Sequence, residues 1–316
     1  MTRPIFPIAI DSTTLGTYRS CPQRAFRQYI QHWKPSEESV HLIAGGAFAS
    51  GVEVARKEFY INSRSAEESV LAGVGALISH YGDFECPADS AKSLERTAGA
   101  LEFYFENYHL GQDHAVPVIF DNQTHGIEFS FAQPLPINHP VTGDPLVYTG
   151  RADMLAEAYG GIYIYDEKTT SSLGARWAKQ WDLRSQFTGY CWAARESGLS
   201  PSGVVVRGVS ILKTKYDTQE VITYRSEFEI ERWLDQVCRD LERMIENWKD
   251  GYWDYNLDHA CTEYNGCPFQ MVCKSPDPQP WLEQYFTQRV WNPLAREEQS
   301  LESYNLSMAP FAGEPV

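Results

Sequence analysis

The chain has 316 residues, with 27 Lys and Arg against 42 Asp and Glu and a formal charge of −15. That balance argues against general electrostatic attraction to nucleic acid, because phosphate contacts need Lys and Arg, and it leaves room only for a locally basic groove. Hydrophobic residues at 43% suffice for a real core, but no apolar run approaches the length that spans a bilayer. The opening MTRPIFPIAIDSTT has too short an apolar patch and no cleavage pattern for a signal peptide, so a cytoplasmic protein without a membrane partner is expected.

Ser12, Thr13 and Thr14 offer N-caps to a helix running through Cys21 to about Trp33. Leu15, Tyr18, Phe26 and Tyr29 fit one apolar face, Arg19, Arg24 and Arg27 add local positive charge, and Pro35 closes the helix. A second helix is expected over residues 41–60, led by Gly45 and Gly46. Residues 62–115 read as a helical arm, since SVLAGVGALISHYG and SLERTAGALEFYFENY place apolar residues three and four apart. Asp89, Ser90 and Ser93 are candidate caps there, and Tyr104, Phe105 and Tyr108 are either core or a stacking surface.

HGIEFSF, residues 125–131, alternates as a strand does, and AQPLPINHPVTGDP after it reads as a polar, Pro-rich turn. VVVRGVSILKT and QEVITYRSEF are two further strands, and the unbroken apolar run at residues 204–206 implies a strand covered on both faces. FEIERWLDQVCRDLERMIENWKDG is an amphipathic helix ended by Gly251. The closing AGEPV is expected to be mobile. There is no internal repeat and no Walker phosphate loop.

The chemistry concentrates in residues 148–190, YTGRADMLAEAYGGIYIYDEKTTSSLGARWAKQWDLRSQFTGY. Gly160-Gly161 between two β-prone segments signals a hairpin. Asp153 lies on its first strand, and Asp166, Glu167 and Lys168 lie on its second. Asp166 and Lys168 are two apart and share a strand face, while Glu167 points the other way. Two carboxylates suit Mg2+ or Mn2+, which take oxygen ligands, and Lys168 beside them can orient a water or steady phosphate charge. Gln186 and Tyr190, four apart on the following helix, share a face.

Asp153, then Asp166-Glu167-Lys168, then Gln186-x-x-x-Tyr190 resembles the PD-(D/E)XK nuclease superfamily, and within it the RecB-like branch that includes CRISPR-associated adaptation nucleases and phage RecB-like exonucleases. The resemblance implies that Asp153 and Asp166 bind metal, that the backbone carbonyl of Glu167 reaches it, that Lys168 positions the nucleophilic water, and that Gln186 and Tyr190 contact DNA. Arg151 and Arg176 are candidate phosphate contacts. That branch carries G-x-x-x-H on its second helix; here Gly46 is followed four residues later by Ser50, so the imidazole ligand is absent. Water, Glu53 or Glu128 stands in for it.

Seven cysteines in a chain expected to be intracellular point to metal more than to disulfides. Cys261, Cys267 and Cys273 form C-x5-C-x5-C, and Cys21 sits in L-x-x-Y-x-x-C-P near the N-terminus. The spacing differs from the short knuckles of zinc fingers. It resembles the iron–sulfur version of the same branch, which implies a 4Fe-4S cluster on Cys21, Cys261, Cys267 and Cys273, with Zn2+ as second choice. Cys86, Cys191 and Cys238 read as small core residues.

The implied architecture is α/β: a restriction-endonuclease-like mixed central sheet flanked by helices, with a helical arm and a C-terminal iron–sulfur segment. Residues 1–280 are expected to form one nuclease domain and 281–316 an extension. The implied function is a metal-dependent DNA exonuclease acting on single-stranded or end-containing DNA in recombination, repair or phage-type processing, in a bacterial or phage-infected cell, with a DNA-processing protein as a candidate partner. The alternative is a catalytically weak or inactive DNA-binding subunit with the same fold.

Overall fold

The computed structural model describes residues 4–262, 266–295, 297–300 and 303. In chain order the elements are β1 (Ala9–Ile10), α1 (Ser12–Ser20), α2 (Pro22–Ala25), a π-helical turn (Phe26–Ile30), β2 (Trp33–Pro35), α3 (Val40–Tyr60), α4 (Ala66–Tyr81), α5 (Leu94–Asn107), β3 (Val116–Pro117), β4 (Ile127–Asn138), β5 (Pro145–Ala158) and β6 (Gly161–Thr170). Then come α6 (Ala175–Lys179), α7 (Ser185–Glu196), β7 (Gly203–Ile211), β8 (Tyr216–Thr223), α8 (Glu227–Asp250), α9 (His259–Thr262), α10 (Gln270–Lys274), α11 (Gln279–Tyr285), β9 (Phe286–Gln288), β10 (Val290–Asn292) and β11 (Glu297–Gln299). The chain divides into two compact units, one of Met1–Glu37, Phe131–Gly150 and Glu231–Val316, the other of Glu38–Ser130 and Arg151–Ile230.

The second unit holds most of the mixed sheet. β5 and β6 run antiparallel, β6 and β7 parallel, and β7 and β8 antiparallel, with β3 paired to β5. A parallel pair needs a crossover, and α6 and α7 supply it between β6 and β7. All nine residues of β7 are buried, as the unbroken Val run implied. The hairpin between β5 and β6 closes with Ala158 opposite Gly161, so its turn residues are Tyr159 (φ 49°) and Gly160 (φ 78°). Two consecutive left-handed residues make the turn whose twist matches the flanking strands.

Helices α4 and α5 fall in the arm expected over residues 62–115; with α3 they pack around Ala44, Phe48, Val52, Leu77, Leu101 and Tyr104 and on Val209 and Ile211 of β7. Tyr104 and Phe105 are therefore core. Ser93 caps α5 by accepting from the Arg96 N–H; Asp89 and Ser90 do not. Gly73 lets α4 approach α3 closely: a Cβ there would lie 2.5 Å from the Gly51 carbonyl oxygen.

In the first unit, Asp11 rather than Ser12, Thr13 or Thr14 caps α1, accepting from the Thr14 N–H at 2.7 Å and from Trp291 Nε1 at 2.7 Å. The long helix expected from Ser12 to Trp33 is broken. Cys21 is extended (φ −158°), because a residue before proline is pushed out of the α region, and Pro22 starts a new turn. Pro35 does not close a helix; it lies in β2, which pairs antiparallel with β9. The expected turn after Phe131 is also shorter, since β4 continues to Asn138. Its prolines, Pro134 and Pro136, are exposed, and among the described residues β4 pairs with β5 alone, so it is an edge strand where a missing N–H costs nothing. Around α1 and α8, Phe6 meets Trp248 at 5.8 Å, Phe26 stacks on Trp253 at 5.1 Å, and Arg19 pairs with Asp240 at 2.6 Å. The AGEPV terminus lies outside the described residues.

Candidate active site on adjacent strands

The β5–β6 register runs from Ala158 opposite Gly161 to Met154 opposite Tyr165. One residue further, a side chain takes over from the ladder. The backbone N–H of Glu167 donates to Oδ2 of Asp153 at 2.7 Å. This bond fixes the Asp153 carboxylate against β6, beside Asp166. Asp166 is buried and its carboxylate is ion-paired with the ammonium of Lys168, on the same strand face. The two acids and the lysine thus come together as strand alternation requires.

Glu167 faces the other side of the sheet. Both of its oxygens engage the Arg56 guanidinium of α3, one of them at 3.1 Å, and the Tyr104 hydroxyl of α5 donates to it at 2.9 Å. Arg56 also donates to the Tyr104 oxygen at 3.0 Å. The middle residue of the Asp-Glu-Lys run therefore anchors the helical arm to β6.

The electrostatics divide along the same faces. Burial, with the neighbouring charges of Asp166 and Glu167, raises the Asp153 carboxyl well above the usual range. Burial raises Asp166 too, and Lys168 only partly offsets it. For Lys168, burial works against the charged form, but Asp166 and Asp153 overcome it and raise its pKa. For Glu167, burial would raise the carboxyl; the Arg56 charge and hydrogen bonds win and hold it at about 2. Glu128, at a left-handed φ of 56° in β4, is raised to about 7 by burial, with Arg151 opposing and Glu53 reinforcing.

The remaining candidates fall into place around this centre. Glu128 is ion-paired with Arg151 and its charge acts on Asp153. Glu53 is paired with Lys57 at 2.5 Å. Tyr190 is buried, and its hydroxyl donates to the Arg151 carbonyl at 2.7 Å while accepting from the Gln186 amide at 2.8 Å. That pair braces β5 two residues before Asp153. Arg176 is exposed on α6. Arg184, just before α7, was not singled out from sequence, although its charge acts on both Asp166 and Lys168; its place two residues before Gln186 was the available signal.

Carboxylate oxygens are the donors that a hard divalent cation takes. A pair of acids pushed upward by burial and mutual repulsion is also one that such a cation would relieve. The donor set therefore fits Mg2+ or Mn2+, with Asp153 and Asp166 as the holders. Among the described residues, no three His, Cys, Asp or Glu side chains are already gathered tightly enough to enclose an ion.

The cysteine set lies in the first unit. Cys273 is within electrostatic reach of Cys267 and Cys21, and Cys267 within reach of Cys21 and Cys261, with burial raising both thiols first. The Cys267 N–H donates to the Cys261 carbonyl at 2.9 Å. The four cysteines are free thiols, drawn from opposite ends of the sequence to one neighbourhood. Cys191 is buried in α7, whereas Cys86 and Cys238 are only half-buried.

A family model of the PD-(D/E)XK nuclease superfamily matches residues 12–274, and the chain belongs to that superfamily. Its fold is the mixed sheet flanked by helices that this superfamily shares with restriction endonucleases. Among solved structures, the chain is similar to a candidate exonuclease from Eubacterium rectale, at 15% identity over 80% of this chain and 86% of that one, with a TM-score of 0.49. It is also similar to the protein SSO0001, at 16% identity over 78% of this chain and 83% of that one, with a TM-score of 0.29. No curated protein sequence matches it. No helix among the described residues is long and apolar enough to cross a membrane.

The Arg56–Glu167 pair carries a stability signature. The Glu167 pKa is depressed in the fold, so its contribution is present above the unfolded value of about 4.3 and is lost as pH falls toward about 2. Arg56→Met leaves a buried carboxylate unpaired, and a loss of about 3–5 kcal/mol at pH 7 is expected in urea unfolding, shrinking at pH 3 to 4. An equal loss at both pH values would contradict the pairing.

Proposed function

We propose that this nuclease is a Mg2+- or Mn2+-dependent deoxyribonuclease of the RecB-like branch, an exonuclease acting on single-stranded or end-containing DNA in recombination, repair or phage-type DNA processing. The observation that carries the reading is the convergence of Asp153, Asp166 and Lys168 on adjacent strands, with the Asp153 carboxylate held by the Glu167 N–H. The motif resemblance supports the exonuclease class and the choice of DNA.

Asp153 and Asp166 would hold the cation, with the Glu167 backbone carbonyl and either Glu128 or Glu53 completing the oxygen set around it. The cation supplies Lewis acidity, lowering the pKa of the attacking water and offsetting charge on phosphorus. Lys168 remains protonated beside Asp166, so it acts as a fixed positive charge that orients the water and the scissile phosphate. Gln186, through its amide, and Tyr190, through its grip on the Arg151 carbonyl, set the strand against β5. Arg151, Arg176 and Arg184 give an acidic protein its local phosphate contacts. Cys21, Cys261, Cys267 and Cys273 would hold a 4Fe-4S cluster, with Zn2+ as the second choice, clamping the start of the chain to its C-terminal segment. The electrostatic reach of Cys267 to Cys21 and Cys261, and of Cys273 to Cys267 and Cys21, supports that assignment.

Purified protein incubated with end-labelled single-stranded DNA and Mn2+ should release short products, and a chelator should stop it. Asp153→Ala and Lys168→Ala should each lower the rate by about a hundredfold or more while the melting curve is kept. Retained cleavage in either variant removes the site assignment, and no cleavage by the parent chain favours an inactive DNA-binding subunit. Protein prepared without oxygen should contain iron and sulfide in equal amounts, lost in Cys267→Ser; zinc alone at the same cysteines selects the second choice.

A further inference from the structure

Two arginines beside the cysteines lie in the protein without a counter-charge. Arg27, in the π-helical turn, is 6% exposed, and Arg24, on α2, is half-buried. The Nε of each is buried and meets no acceptor among the described residues. The ion pairs described in this unit, Arg19 with Asp240 and Lys34 with Glu298, use neither of them. A buried cation is costly unless something negative faces it, and a chain with 42 Asp and Glu has acids in plenty to supply one.

What these arginines meet instead is sulfur. Cys21 is the N-cap of α2, and Arg24 and Arg27 follow it at intervals of three, the spacing of helical neighbours. The turn that carries Arg27 is π-helical, a winding found frequently at functional sites. Burial raises the Cys273 thiol, against the charge of Arg27 and a hydrogen bond from it. Burial raises Cys267 as well, against a backbone hydrogen bond from Phe269 and the charge of Arg24. The segment they face is held in place. The Cys261 carbonyl accepts from the Cys267 N–H at 2.9 Å and from the Gln270 side-chain amide, and Cys267 packs on the cluster of Phe269, Val272, Leu282 and Phe286. A thiol is a neutral, weak acceptor and does not answer a guanidinium; a thiolate does.

We propose that Arg24 and Arg27 are the counter-ions of a metal–thiolate centre on Cys21, Cys261, Cys267 and Cys273, with Arg27 donating to the Cys273 sulfur and Arg24 offsetting charge at Cys267. The inference rests on the cysteine assignment made under the proposed function. Four thiolates outweigh the charge of Zn2+ by about two, and an iron–sulfur cluster in the same ligands is an anion as well. The two guanidinium groups match that excess, and the orphaned Nε atoms are where it is felt. Both arginines are positioning residues. They act through the sulfurs, and net charge and hydrogen bonds to sulfur are what set how tightly such a centre is held and at what potential it takes an electron.

Protein purified without oxygen is compared with Arg27→Met, Arg24→Met and Arg27→Lys for iron, sulfide and zinc content and for the rate of metal release to a chelator. Each Met variant should release its metal about tenfold faster or more, and Arg27→Lys, which keeps the charge, should lie between Arg27→Met and the parent. For an iron–sulfur centre the midpoint potential should fall in Arg27→Met, because a lost positive charge disfavours the added electron. Melting supplies a sign that a merely structural arginine would not give. Arg27→Met should lower the melting temperature of the loaded protein and leave that of the metal-free protein unchanged or higher, since it removes a buried charge that only the thiolates answer.

Unchanged metal release and potential in both Met variants overturn the inference and leave the cysteine assignment standing. A melting temperature lowered equally with and without metal makes the arginines structural and overturns it as well. A parent chain that holds neither iron nor zinc removes the cysteine assignment and this inference with it, and leaves the site on Asp153, Asp166 and Lys168 untouched. Where Arg27→Met does not fold, release from Arg24→Met and Arg27→Lys decides, and parent-like rates in both count against the counter-ion role.

Discussion

The hydrogen bond from the Glu167 N–H to the Asp153 carboxylate is the interaction on which the site depends. It replaces a ladder bond at the point where β5 and β6 would otherwise go on pairing, and it puts two acids side by side. Like charges at close range, half out of water, are unfavourable. The structure answers this on each face of β6 separately. On one face Lys168 stands beside Asp166; on the other, Arg56 and Tyr104 take the Glu167 carboxylate completely. The repulsion that remains acts on Asp153 and Asp166, from each other and from Glu167 behind them, and that is where a cation is useful.

The same division explains how an acidic protein can act on a polyanion. Charge at long range is screened within about 8–10 Å at ordinary salt, so net charge governs approach and local charge governs contact. The arginines around the site, Arg151 and Arg184 among them, are set by partners or position: Arg151 by Glu128, Arg184 by its stacking 6.0 Å over Trp181. Under the proposed function, an acidic exterior restricts nonspecific adhesion and these few residues would meet the strand.

Much of this was legible in the sequence because it is local. The hairpin announces itself through Gly160-Gly161 between Tyr-, Ile- and Leu-rich segments, and strand alternation alone puts Asp166 and Lys168 on one face and Glu167 on the other. The arm helices follow from three- and four-residue spacing, and β7 from its unbroken valines. What escaped is of two kinds. Proline works both ways: Pro134 and Pro136 sit exposed on a strand where a turn is expected, while Pro22 forces Cys21 out of the helix that apolar spacing suggests. Long-range pairing was the other. Arg56 lies 111 residues from Glu167, and Lys92 lies 77 from Thr169, so no periodicity or motif links them. The cysteine set is legible in the sequence only through a spacing that resembles a known pattern.

The most direct measurement is the anomalous diffraction of Mn2+ soaked into crystals of the chain. A single strong peak within about 2.0–2.3 Å of carboxylate oxygens from both Asp153 and Asp166, lost in Asp153→Ala, is the result predicted. A peak held elsewhere, or carboxylates of these two residues that turn away from a shared ion, would contradict it.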